Sequence, residues 1–122
     1  MLSHAATARP HEACGVLLGT PQRITAARAG HNLAADPTRT FILDAHTLLD
    51  ADTLARHSGL AIVGFYHSHP ASAPVPSPSD RATMWPAHLQ AIVDARHAAI
   101  AWWRRDEDRI APVLMMITDW DD

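Results

Sequence analysis

His67-Ser68-His69-Pro70 is the stretch of this sequence best equipped to do chemistry. In a β-strand, residues i and i+2 point to the same face. Two imidazoles at that spacing stand a few ångströms apart and can share one ion. The apolar run from Leu60 to Tyr66 leads straight into them, so they end a strand that offers them no polar partner. Asp80 suggests a third ligand, because it follows a proline-stiffened loop at the start of a helix. An acid in that place can also do no more than cap amides and complement the helix dipole. Two histidines and one carboxylate with an open fourth position form a recognised catalytic zinc set, and one that needs no thiolate. Hydrolysis there also requires a base for the proton of water. Only two glutamates are present. Glu107 falls in the charged run 104–108 and reads as solvated surface. Glu12 stands at the mouth of the apolar stretch Ala13 to Gly19, as either that base or a strand-edge charge. Cys14, inside the stretch, reads as an inert buried thiol.

The elements that must position these groups follow from patterning. Residues 1–11 form a lead or one short helix. Ala13 to Gly19 is a buried strand, and Arg23 to Arg28 completes a hairpin with it. Residues 30–40 are loop, with Asp36-Pro37 as a turn signal. Phe41 to Leu43 reads as a short strand. Asp44 is a helix N-cap, with Leu48, Leu49 and Leu54 at helical spacing and Gly59 closing the helix. Leu60 to Tyr66 fits a central strand covered on both faces. Pro70, Pro74, Pro76 and Pro78 enforce a stiff irregular loop. Ser77 then caps a short helix with Pro78 at its first position, ending before Trp85-Pro86. Leu89 to Val93, His97 to Trp103 and Ile110 to Thr118 read as strands, with Arg104 to Asp108 a charged hairpin. Of the adjacent Trp102 and Trp103, one should face inward and the other outward, where it could mark a protein contact. This order of elements suggests an α+β or α/β sandwich around one mixed sheet.

Composition narrows the function. A chain of 122 residues with 48% apolar side chains fits a single domain, 1–122, with a modest core. The net charge of −3 does not support a nucleic-acid surface. One cysteine allows neither an internal disulfide nor a Cys-rich zinc cage. No run is long enough for a membrane helix, and Met1 to His4 lacks the features of a secretory signal, so a soluble cytoplasmic protein is expected. All ten basic residues are arginine, which excludes a lysine Schiff base or lysine general base.

The register of these residues matches a known motif. His67-Ser68-His69-Pro70, six residues, Ser77, two residues and Asp80 resemble the JAMM pattern His-x-His-Pro-x6-Ser-x-x-Asp. Upstream, Glu12 to Gly19 is similar to the segment that carries that family's catalytic glutamate. Softer likeness lies in Asn32 to Pro37, Phe41, Gly64 to His67, Asp80 to Ala82 and Trp85-Pro86, so roughly residues 10 to 118 are covered. The chain thus resembles the JAMM/MPN-plus zinc metalloproteases, above all their short bacterial members acting on ubiquitin-like sulfur carriers. Those members generally begin with a longer strand and helix, whereas eleven residues precede Glu12 here. The resemblance implies a cytidine-deaminase-like JAMM/MPN fold, a single mixed sheet flanked by helices. It implies one zinc per chain on His67, His69 and Asp80 with a water in the fourth place. Glu12 would carry the proton, and Ser77, otherwise a plain N-cap, would stabilise the oxyanion. The implied reaction is hydrolysis at the C-terminal tail of a sulfur carrier, or release of cysteine from a carrier–cysteine adduct. A tail of that kind could add as a strand beside the site. The resemblance also admits a homodimer. A non-catalytic MPN-type interaction module is the alternative, although such relatives usually lose the metal residues kept here. A nucleoside deaminase would need His-x-Glu and Pro-Cys-x-x-Cys, and neither is present.

Overall fold

The computed structural model describes residues 1–115. Nine elements follow in order: α1 (Leu2–Ala8), β1 (Cys14–Thr20), β2 (Arg23–Ala29), α2 (Ala45–His57), β3 (Ala61–His69), α3 (Pro78–Thr83), β4 (Leu89–Asp94), β5 (Ala99–Asp106) and β6 (Arg109–Pro112). The strands form one mixed sheet in the order β2-β1-β3-β4-β5-β6. Among the described residues only β3 and β4 run parallel, joined by a crossover that contains the proline loop and α3. Both expectations of fold, α+β and a mixed sheet with helices, hold.

Alternation along the strands divides the core in two. On one face Val16, Leu18 and Phe65 pack against Ala51 and Ala55 of α2. On the other, Leu17, Tyr66, Ala91, Val93 and Trp102 pack against Met1 and Ala5 of α1. The residues 1–11 therefore do supply a helix, pinned further by His4 Nδ1 at 2.7 Å from the Tyr66 hydroxyl. Strand β1 is buried along nearly its whole length because it lies between β2 and β3.

Helix α2 starts and stops where its sequence says. Asp44 accepts from the Thr47 amide, and its other oxygen accepts from the His31 amide, which ties the preceding loop to the helix. Gly59 takes φ +68, and the Leu60 amide bonds back to the Ala55 carbonyl, a glycine-dependent helix end.

Three expected strands differ. Phe41 to Leu43 makes only an isolated bridge, Asn32 with Leu43, because the Asn32 side chain takes the Ile42 amide. β5 starts at Ala99 rather than His97. Asp94 gathers the Arg96 side chain, the Arg96 amide and His97 Nδ1 into a turn that Ala98 leaves at φ 51. It also runs on to Asp106, since a ribbon near the sheet edge lets Arg104 and Asp106 face solvent; the turn narrows to Glu107, at φ 55, and Asp108. β6 ends at Pro112, which has no amide to donate, and residues 116–118 of the expected strand lie outside the described residues.

Candidate metal centre

The centre sits where β3 ends. The strand continues past Tyr66 to His69, so both histidines are in regular strand geometry and share the face of Phe65 and α2. Helix α3 supplies the third group. Ser77 Oγ accepts from the Asp80 amide at 3.0 Å, and the Ser77 amide donates to Asp80 Oδ2 at 2.9 Å. This reciprocal capping box, with Pro78 after the cap, fixes the first turn and aims the Asp80 carboxylate at β3.

Three side-chain atoms converge there. His67 Nε2 and His69 Nε2 are 3.2 Å apart, and each lies 3.0 Å from Asp80 Oδ2. All three residues are buried. Ligands of a tetrahedral zinc at its usual bond lengths sit roughly 3.3 Å from one another. The triangle thus has the size and the nitrogen–oxygen chemistry that such an ion requires. Burial pushes the His67 imidazole below its ordinary pKa despite Asp80, favouring the neutral form that ligates. Burial opposes ionisation of Asp80, but the hydrogen bonds from both histidines outweigh it and hold the carboxyl far below the usual range. For His69, burial is overcome by the bonds to Asp80 and to the Ala73 carbonyl, and its pKa rises.

Outer contacts orient the rings. His69 Nδ1 donates to the Ala73 carbonyl at 2.7 Å, which leaves Nε2 facing the triangle. Phe41 stacks on His67 with centroids 4.5 Å apart and planes at 21°. Gln90 Nε2 is 2.7 Å from His67 Nδ1. The proline loop is held by Trp103, whose indole N–H donates to the Pro74 carbonyl at 3.0 Å. Trp102 is buried in the core on the α1 side, whereas Trp103, on the opposite face, is half-buried under that loop rather than exposed as expected.

Glu12 lies just before β1, held by its backbone. Its amide donates to the Pro37 carbonyl, Asn32 Nδ2 donates to its carbonyl, and the next amide, of Ala13, donates to Ser68 Oγ at 2.8 Å. Ser68, between the two histidines, thus links the glutamate segment to β3. Glu12 is 5% exposed, and its Oε1 has no hydrogen-bond partner among the described residues. Burial and the charge of Asp80 push it up to about 7, with His69 pulling the other way. A buried carboxylate oxygen without a partner, coupled to the charge of Asp80, is able to take up a proton. Burial raises the Cys14 thiol to about 12, consistent with inertness.

Sequence reasoning overlooked the contacts of Asn32, Ser68 and Gln90. Gln90 carried a signal, as the one polar side chain in an otherwise apolar strand pattern. Asn32 carried a weaker one, since its amide organises Glu12, Thr40, Ala34 and Ile42 from within a loop. Beside the triangle opens a cavity of about 280 Å³, lined by Phe41, Leu48, Phe65, Met84 and Trp85 and reaching His67 and Asp80.

A six-stranded mixed sheet that delivers two histidines from its central strand and an aspartate from the next helix defines a JAMM-type metallo-hydrolase. The chain belongs to the prokaryotic homologs of the JAB domain, whose family model matches residues 1–111. It is 40% identical over 111 residues to a desampylase of Haloferax volcanii, covering 84% of this chain and 80% of that protein. A desampylase of Pyrococcus furiosus is 32% identical over 108 residues, 87% of this chain and 76% of the relative. A Desulfitobacterium hafniense protein with a known solution structure superimposes with a TM-score of 0.85 at 26% identity, over 98% of this chain and 87% of the other. No helix among the described residues is long and apolar enough to cross a membrane.

Proposed function

We propose that this chain is a single-domain, cytoplasmic, zinc-dependent peptidase or isopeptidase that hydrolyses the bond at the C-terminal tail of a ubiquitin-like sulfur-carrier protein. The observation that carries the reading is the convergence of His67, His69 and Asp80, together with an unpartnered Glu12 oxygen whose carboxylate feels the charges of Asp80 and His69. The two desampylases support a ubiquitin-like protein as the substrate.

His67, His69 and Asp80 would hold the ion. Zinc, when bound, supplies Lewis acidity toward the scissile carbonyl and acidifies water to a pKa of roughly 7. Glu12 accepts the proton of the attacking water and returns it to the leaving amine. A pKa of about 7 suits both halves of that task. Ser77 steadies the tetrahedral oxygen. Its hydroxyl accepts from the Asp80 amide and still has its own proton to donate, so cap and oxyanion donor are compatible roles. One such donor is worth about 2.7–4 kcal/mol of barrier. The tail cannot add as a strand to β3 itself, because β1 and β4 already pair with it on both sides. It would cross the Phe41–Leu43 segment and the apolar cavity instead. All the groups named come from one protomer, so the proposed chemistry needs no residue from the second copy of a homodimer.

The test is zinc analysis of the purified protein together with cleavage of a sulfur carrier bearing a C-terminal extension. His67→Ala and Asp80→Ala should lose zinc. Glu12→Gln should keep it and lose about 10²–10⁴-fold in turnover. Unchanged cleavage by Glu12→Gln would assign the proton to another group. A zinc-loaded protein that binds the carrier without cutting it would favour the non-catalytic module.

A further inference from the structure

Gln90 is a buried polar side chain that the proposed mechanism does not use. It is 5% exposed and lies on the face of the sheet shared by Phe65 and Ile92. The parallel register of β3 and β4 sets it beside Phe65, one strand step before His67. A primary amide in such surroundings costs free energy unless it is hydrogen-bonded. Its partner is the outer nitrogen of a metal-ligand histidine, at 2.7 Å. The other histidine of the triangle has its outer nitrogen on the Ala73 carbonyl. An imidazole ligates through Nε2 only when its proton is on Nδ1, and an acceptor facing Nδ1 keeps it there. A carboxamide carries an oxygen and an NH₂ in nearly the same space, exchanged by a half-turn of its last bond.

We propose that Gln90 is the positioning residue of His67. With its oxygen toward Nδ1 it accepts the Nδ1 proton and aims the Nε2 lone pair into the triangle, while Phe41, stacked on the ring, fixes the plane. With its NH₂ toward Nδ1, the same amide holds the opposite tautomer, in which Nε2–H donates to Asp80 Oδ2. Glutamine serves both arrangements without a change of its own charge, so it keeps the buried nitrogen paired in either tautomer. The inference rests on the zinc reading above.

The experiment measures zinc affinity by competition with a chromogenic chelator for the wild type, Gln90→Met and Gln90→Glu. Long-range proton–nitrogen NMR then reports the His67 tautomer in the zinc-loaded wild type. Gln90→Met should bind zinc about 10- to 100-fold more weakly while keeping its circular-dichroism spectrum. Gln90→Glu, which still offers an acceptor, should hold or tighten binding. The wild-type spectrum should show the His67 proton on Nδ1. Unaltered affinity in Gln90→Met, or a His67 proton on Nε2 in the zinc-loaded protein, overturns the proposal. Should Gln90→Met fail to fold, Gln90→Glu and the wild-type tautomer decide: weakened zinc binding in the former counts against it. A wild type that takes up no zinc removes the metal reading and this one with it, whereas zinc binding that ignores residue 90 removes this one alone.

Discussion

Glu12 is the residue at which function and stability pull apart. Burial and the nearby Asp80 raise its pKa from an ordinary 4.5 to about 7. The folded chain therefore binds that proton more tightly than the unfolded chain does. Its contribution to stability is full below about pH 4.5 and is lost as the pH rises through about 7. Glu12→Gln removes the titration. In zinc-free protein, urea denaturation should show the variant more stable than the wild type by about 3 kcal/mol at pH 8 and nearly equal to it at pH 4.5. The same gap at both values would mean that Glu12 titrates normally. Legibility at this scale followed chain distance. His67, His69 and Asp80 could be read because a strand period, a stiff loop and a helix cap fix their relation within a short stretch. The partners of His67 could not: Gln90 reaches it from the neighbouring strand and Phe41 from the loop before α2, through contacts that no local pattern encodes.

At the scale of elements, α3 has to hold one carboxylate still with only six residues, and its capping box does that. Ser77→Ala should lower stability by about 1 kcal/mol through the lost cap and turnover by about 10²–10³-fold through the lost oxyanion donor. Ser77→Gly discriminates between the two roles. Glycine at an N-cap costs only a few tenths of a kcal/mol, so thermal melting should recover while turnover should not. Recovery of both would leave Ser77 as a cap alone. The elements read most securely from sequence were those with their own punctuation. Asp44 and Gly59 bound α2, and Ser77-Pro78 opens α3. β3 showed as a run of apolar side chains ending in the two histidines, and it does run through His69. β5 and β6 were misjudged. Near a sheet edge, charged residues continue a strand as easily as they end one, and Asp94 organised the preceding turn through contacts that composition does not advertise.

For the molecule as a whole, an ion on the triangle would tie the central strand to the crossover helix. A ligand that binds only the folded state adds stability, about 2.7 kcal/mol at a hundred times its dissociation constant. Adding a chelator to zinc-loaded wild type should therefore lower its melting temperature, and should leave that of Asp80→Ala unmoved. Equal shifts in both proteins would place the chelator's effect elsewhere. The two helical layers are unequal partners in this. α1 closes the face away from the centre, whereas α2 shares its face with the histidines. The three donors come from one continuous strand–loop–helix unit, but Glu12 hangs from the neighbouring strand by backbone bonds to Ser68, Asn32 and Pro37. Inheritance can consequently separate them. Exchanging Glu12 alone would leave the three-residue cluster of His67, His69 and Asp80 untouched, so gripping an ion and cutting a bond are abilities that this architecture allows to be lost one at a time.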